Sequence, residues 1–401
     1  MQTLTPFRYR SLPWKILYLA TVIPLALFVQ LPWLCLLHLF PSRRPRRSWS
    51  LLRTLTVFAV RIFCTTLYDI GFEFMYTDPT ERPRNAEKRG WVRIPAVPQK
   101  IQGDILELAK KNKVDIDCPI GGYWFGDCGP DGTAGQLAGE GEKVMLYFHS
   151  GGYVLGKAND LGAMTVIYSL RSMRILFKRL LSVEYHVAKS APFEPSGAWP
   201  TQIVDGIASY AYLLSLGFKP ENVILCGDSA GGSIAFSLAH YLVNHPEAGL
   251  APPAGLLLLS PHMDYTVSSR GPDSSFEKNQ ATDGAVIVFR SEYTVHSLRG
   301  QLSVSEFSAD PLCSPGSLNA RPSPGSFEGM PKTFIHACGA ELALDSIRTF
   351  RDRMWADNGK ERVEYLETRD VTHDLLAIWQ EPERTRLLGV LSEWLRAFEK
   401  V

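Results

Sequence analysis

Charge of one sign, clustered cysteine and glycosylation signals are what this sequence has least of. Its 42 Lys and Arg against 41 Asp and Glu leave a formal net charge of +1. That excludes a field for steering nucleic acid, and no nucleic-acid motif occurs, so no nucleic-acid partner is expected. The seven cysteines are scattered and odd in number, which does not make a disulfide framework. Cys226 and Cys338 lie in or beside apolar strand-like runs and read as buried side chains. Cys118 and Cys128 flank a glycine-rich segment and would pair only in an oxidising compartment. With no C-x-x-C and no His/Cys spacing of the metal-binding kind, neither a metal nor a cofactor is expected. No Asn-x-Ser/Thr sequon appears, so nothing demands a lumenal location. What remains is globular: 401 residues, 45% apolar and 21% charged, ample for a large core.

The one long hydrophobic run comes early. Ile16 to Phe40 contains no Asp, Glu, Lys or Arg, and a helix of that length crosses a hydrocarbon core of roughly 30 Å. Trp14, Tyr18 and Trp33 are aromatics of the kind found at membrane interfaces. A cleaved signal peptide would have a shorter apolar core and a small-residue cleavage site. We therefore expect residues 1–45 to be a membrane anchor. Arg8, Arg10 and Lys15 precede the run, and Arg43, Arg44, Arg46, Arg47 and Arg53 follow it. The positive-inside rule leans by a small margin toward a cytosolic body. Residues 50–72 are apolar but interrupted by Arg53 and Arg61, which suits an amphipathic helix on a membrane surface or over a site. Asp78 to Arg93 reads as a linker, and Pro98 to Asn112 as an amphipathic helix. The expected organisation is thus an anchor over 1–45, an amphipathic, cap-forming region over 46–113, and a catalytic domain over 114–401.

From Val114 the pattern changes to short apolar strands alternating with helices. Ile116 to Phe125 looks like an opening hairpin or bulged strand. Val144–Phe148, Leu180–Tyr185, 222–226, Gly255–Ser260, Thr333–Ala337 and, more weakly, Val363–Leu366 follow. Helical pattern covers Thr201–Leu216 and Pro382–Lys400. Continuous apolar strands alternating with helices imply a mainly parallel sheet covered on both faces, an α/β fold. The Ser-, Pro- and Gly-rich stretch from Asp264 to Pro331 is too long for a plain connection and should include cap structure.

Two motifs carry chemistry. An apolar strand breaks at Gly227-Asp228-Ser229-Ala230-Gly231 into a small-residue helix, the strand–turn–helix setting of a G-x-S-x-G nucleophile elbow. Upstream, His149-Ser150-Gly151-Gly152-Tyr153 follows the strand at 144–148. Consecutive glycines let backbone N–H groups approach a developing oxyanion. A serine hydroxyl needs a histidine base, itself oriented by a carboxylate.

On these residues, with Val183-Glu184-Tyr185-His186-Val187-Ala188, Ser260-Pro261-His262-Met263-Asp264 and Thr372-His373-Asp374, the chain resembles the hormone-sensitive-lipase-like branch of the α/β-hydrolase superfamily over about residues 115–401. The resemblance implies an α/β-hydrolase fold, Ser229 as nucleophile, His373 as base, and oxyanion donors at Gly151, Gly152 and Ala230. Ser150 departs from the family's usual glycine. For the acid, the family's pattern at Cys338-Gly339-Ala340-Glu341-Leu342-Ala343-Leu344-Asp345 puts the role on Glu341, with Asp345 as the alternative. His149 is expected to steady the oxyanion loop. Asp228, His262 and Asp264 are expected to be structural.

The function these readings imply is serine carboxylic-ester hydrolysis through an acyl-enzyme, acting on a lipophilic acyl or acetyl ester. The same acyl-enzyme could instead pass to an alcohol, making an acyltransferase. A non-catalytic binding role is disfavoured, because the receptors resembling this family have lost the histidine that His373 supplies. The membrane-anchored members it resembles, steryl acetyl hydrolases and arylacetamide deacetylases, imply a single-pass protein of the endoplasmic reticulum.

Overall fold

The computed structural model describes residues 6–128, 133–173 and 177–399. In chain order, α1 (Trp14–His38) is a single helix through Pro24 and Pro32, and α2 is Leu51–Ile70. Then come β1 (Trp91–Ile94), α3 (Gly103–Lys111), β2 (Ile120–Gly126) and β3 (Val144–Phe148). They are followed by α4 (Leu161–Ser172), β4 (Arg179–Glu184), α5 (Thr201–Ser215), β5 (Val223–Asp228), α6 (Ala230–Asn244) and β6 (Gly255–Leu259). Four short helices, α7 (Ser275–Lys278), α8 (Val286–Arg290), α9 (Tyr293–Arg299) and α10 (Val304–Ala309), occupy the long segment expected to hold cap structure. The chain closes with β7 (Lys332–Cys338), α11 (Leu344–Asn358), β8 (Val363–Thr368), α12 (Leu375–Ile378) and α13 (Glu383–Arg396).

The eight strands form one sheet in the order β1-β2-β4-β3-β5-β6-β7-β8. β1 and β2 are antiparallel to their neighbours, and every later pairing is parallel. This is the α/β-hydrolase fold. Alternation within each buried strand sends side chains to two separate cores. Val144, Leu146, Val223, Leu225, Leu256 and Leu258 enter one layer, while Met145, Tyr147, Ile224, Cys226, Leu257 and Leu259 enter the other. Both faces are therefore apolar, as buried parallel strands require. Register keeps the strand ends level: Phe148 pairs with Gly227, Asp228 with Leu259, and Leu259 with His336. Loops leaving β3, β5, β6, β7 and β8 therefore converge on one edge, where open α/β sheets bind ligands.

Two expectations need correction. The stretch read as a linker over Asp78–Arg93 ends in β1, so the sheet starts upstream of the boundary expected at 114. Of the two readings of Ile116–Phe125 the strand holds, as β2, and the hairpin does not: β2 pairs with β1 on one side and β4 on the other. A four-residue edge strand offers too short an alternation to be seen before its partner is known. Helix α4 adds to the helices expected from the sequence; Asp160 caps it by accepting the Ala163 N–H at 2.9 Å. All seven cysteines are free.

Gly389 lies exposed inside α13 with nothing within 4 Å of a built Cβ. Gly389→Ala should raise stability by about 0.5–1 kcal/mol by reducing backbone freedom in the unfolded chain. A urea midpoint that stays put or falls would count against this packing of the last helix.

Candidate active site

The turn between β5 and α6 sets the geometry. Ser229 sits there at φ +51°, ψ −116°, a strained conformation for a residue bearing a Cβ. It is held by its N–H donating to the Leu259 carbonyl at 2.9 Å, and by its own carbonyl accepting the N–H groups of His262 (3.0 Å) and Gly232 (3.1 Å). The bracketing glycines are required by contact. A Cβ on Gly227 would lie 2.1 Å from the Gly231 carbonyl oxygen, and one on Gly231 would lie 1.9 Å from that of Phe148. Neither backbone can give way without moving β3, β5 or α6.

His373, in the loop after β8, accepts the Ser229 Oγ–H at Nε2 (2.8 Å) and donates Nδ1–H to Glu341 Oε2 (2.6 Å). The carboxylate accepts only, so it selects the tautomer that leaves Nε2 free to take a proton. Glu341 is wholly buried; its Oε1 accepts the Cys338 N–H at 2.7 Å. Asn279 Nδ2 and Thr282 Oγ1 from the cap segment hold the adjoining carbonyls of Glu341 and Ala340, both at 2.8 Å. Burial works against an imidazolium at His373, but the hydrogen bond and charge of Glu341 outweigh it and raise the His373 pKa. Burial, partly offset by His373, pushes the Glu341 carboxyl up.

Asp345, the alternative acid, is not brought to His373. It sits in the first turn of α11, accepts the Ser275 N–H at 2.7 Å and pairs with Arg348 at 3.5 Å, bracing the cap segment against α11.

Behind the serine, Asp228 accepts the Tyr147 hydroxyl at 2.5 Å. Burial, then the adjacent Asp228, hold the Asp374 carboxyl well above the usual range. These two acids flank the nucleophile and the base in sequence and meet beneath them.

Gly151 (φ +121°), Gly152 (φ +60°) and Tyr153 (φ +64°) form the turn after β3. A Cβ on Gly151 would lie 2.1 Å from the Leu155 carbonyl oxygen. Among the described residues, the Gly151 and Gly152 amides donate to no protein acceptor. Ala230 opens α6, where the first amides lack intrahelical partners. His149 donates Nδ1–H to the Ser150 carbonyl at 2.7 Å, and its ring stacks on Tyr185 at 4.1 Å. The Tyr185 hydroxyl donates to the His149 carbonyl at 2.8 Å. The loop is clamped from both sides, with serine accommodated at 150.

Cap residues complete the site. Val288 covers Gly152, where an added Cβ would meet its Cγ1 at 2.5 Å. The Phe289 ring lies edge-on to His373, with centroids 5.5 Å apart, and also walls a cavity of about 350 Å³ beneath α9 and α10. Nothing in the sequence marks these two residues, because α8 is one short turn of apolar residues whose neighbours come from distant loops. His262 is enclosed by Tyr265 and Phe289, and burial pushes its pKa down to about 3, so it stays neutral. Asp264 is tied to Thr266 and Ser268. Among the described residues, no cluster of His, Cys, Asp or Glu could hold a metal.

A family model described as the alpha/beta hydrolase fold matches residues 145–377. An esterase of Acinetobacter venetianus is 28% identical over 213 residues, covering 53% of this chain and 61% of that protein. Versiconal hemiacetal acetate esterase of Aspergillus parasiticus is 27% identical over 244 residues, covering 58% of this chain and 64% of that protein. The chain thus spans less than two thirds of the length of either relative. A solved esterase from the bacterial hormone-sensitive lipase family matches with a TM-score of 0.56 at 21% identity, covering 87% of this chain and 99% of that one, a likeness of fold.

The geometry predicts a titration. Followed by NMR, the His373 imidazole should titrate above the ordinary value of about 6.5. Glu341→Gln should lower that pKa by removing the charge that raises it, and Asp345→Asn should leave it in place. A shift in Asp345→Asn as large as in Glu341→Gln would contradict the pairing.

Proposed function

The chain belongs to the alpha/beta hydrolase fold family, and from that premise we propose that it is a carboxylic ester hydrolase using Ser229, His373 and Glu341. The observation that carries this reading is the continuous hydrogen-bonded line from Ser229 Oγ through both ring nitrogens of His373 to the buried Glu341 carboxylate. Ser229 Oγ attacks the ester carbonyl carbon as its proton passes to His373 Nε2. The Gly151, Gly152 and Ala230 N–H groups receive the oxyanion. As the C–O bond breaks, Nε2 returns the proton to the departing alcohol, leaving an acyl-serine. Water, deprotonated by His373, then releases the carboxylic acid and restores Ser229. Neutral His373 is the working form in both halves. Because Glu341 raises its pKa, activity should fall on acidification from a point above pH 6.5, with His373 protonated below it.

The substrate we propose is a lipophilic ester with an acetyl or short acyl group. Its support is threefold: an acetate esterase among the relatives, the apolar Val288 and Phe289 beside the site, and the largely exposed apolar surface of α1. In this reading α1 holds the enzyme at a membrane, α2 and α7 to α10 form the cap, and the sheet from β1 onward carries catalysis.

Hydrolysis of p-nitrophenyl acetate and butyrate by the full chain tests the assignment. Ser229→Ala and His373→Ala should each lower kcat by about 1,000-fold or more, without loss of folded protein by circular dichroism. Activity retained in Ser229→Ala would remove the nucleophile assignment.

A further inference from the structure

The arrangement of α1 against α2 bears on how the protein meets a membrane. α1 turns one side inward. Tyr18, Val22, Ala26, Gln30, Leu34 and His38 recur there at helical spacing, with Lys15, Leu19, Leu31, Cys35 and Leu37 also half-buried beside them. The rest of its surface is apolar and open: Ile16 is 61% exposed, Phe28 77%, Trp33 63% and Leu36 61%. The inward stripe lies antiparallel along α2. At one end the Tyr18 hydroxyl bonds Asp69; at the other, Leu34 and His38 line a small cleft together with Thr54, Leu55 and Phe58.

Helix α2 is itself bolted to the catalytic body. Just before it, Trp49 Nε1 donates to the Asp370 carbonyl at 2.5 Å and Arg46 pairs with Asp370 at 3.8 Å. Within it, Arg53 pairs with Glu383 and donates to the Glu381 carbonyl at 2.8 Å. Val60 of α2 packs where a Cβ on Gly284 would lie. If α1 crossed a bilayer in this arrangement, α2 would be carried into hydrocarbon with Arg53, Arg61 and Asp69, which is costly. An α1 lying flat puts its open side in the acyl chains and keeps these charges out. The ends fit that placement. Exposed Arg8 precedes α1, and exposed Arg43 and Arg47 follow it, at the level where anionic headgroups attract arginine.

We infer that α1 lies in the plane of one lipid leaflet, docked through α2, and does not cross the bilayer. The inference rests on the proposal that α1 associates with a membrane and specifies its mode. It also orients the site. A cavity of about 300 Å³, lined by Arg61, Thr65, Tyr68, Gly284 and Ile287 among others, sits where α2 meets α8. The next residue of α8, Val288, rests on Gly152. The leaflet-facing edge is therefore next to the cap over Ser229.

The test uses the full chain carrying a different epitope tag at each end, in sealed microsomes from cells expressing it. An in-plane helix leaves both termini on one side, so added protease should remove both tags together or spare both together. Removal of one tag with protection of the other means a span and overturns the inference, while leaving membrane association intact. Recovery of the protein in the soluble fraction overturns the membrane association on which it rests. In flotation with phosphatidylcholine–phosphatidylserine vesicles, the double variant Leu27→Glu, Phe28→Glu should bind at least about 10-fold more weakly. Its hydrolysis of p-nitrophenyl acetate in detergent should be unchanged. Undiminished vesicle binding, or a detergent-free dimer that buries the same face, would also overturn the inference.

Discussion

Backbone packed against backbone at the end of β5 is the constraint on which the rest of the site depends. Gly227 and Gly231 let the strand, the turn and the first turn of α6 close to a distance that no side chain permits, with the Phe148 carbonyl in direct contact. That contact brings the end of β3 beside the end of β5. The free amides of the 151–152 loop and the first amide of α6 thereby come to the same edge as Ser229 Oγ. The strain at Ser229, with φ +51°, is held by four backbone hydrogen bonds to β6, its following loop and its own helix. Parallel strands with level ends then deliver the β7 and β8 loops to that edge.

The second constraint is electrostatic. A carboxylate as deeply buried as Glu341 needs its hydrogen bonds filled, because an unpaired charge in that setting would be costly. Cys338 N–H and His373 Nδ1–H fill them, and side chains of Asn279 and Thr282 fix the loop that carries the acid. Asp283, next along, accepts the Leu342 N–H at 2.7 Å. The cap segment thus does more than cover the site: it builds the wall that holds Glu341 in place. The cap segment and the hydrogen-bonded line Ser229–His373–Glu341 are coupled, and α2 meets the cap through its contact with Gly284. The positions of α1 and α2 and the position of Glu341 are set by the same group of contacts.

How far the sequence reaches can be judged residue by residue. Ser229, His373 and the glycines of both loops were legible because their chemistry and local setting are written in short, contiguous motifs. Glu341 was favoured over Asp345 only through the family's pattern; spacing does not rank them, since both follow the same strand. What separates them is the direction of the chain after Cys338: Glu341 turns inward under His373, while Asp345, one helical turn later, is spent on Ser275 and Arg348. β1 escaped notice because four residues are too few to show a period.

The sequence by itself determined the α/β alternation, the strained serine turn, the glycine turn after β3 and a long apolar helix near the N-terminus, since each depends on neighbours along the chain. The tertiary structure decided how Glu341 reaches His373 while Asp345 turns away, that Asp228 and Asp374 lie side by side, that Val288 lies over Gly152 and Phe289 against His373, and that α1 lies along α2. Those are contacts between segments tens to hundreds of residues apart. They are set by how helices and loops pack on a closed sheet, and no local pattern encodes them.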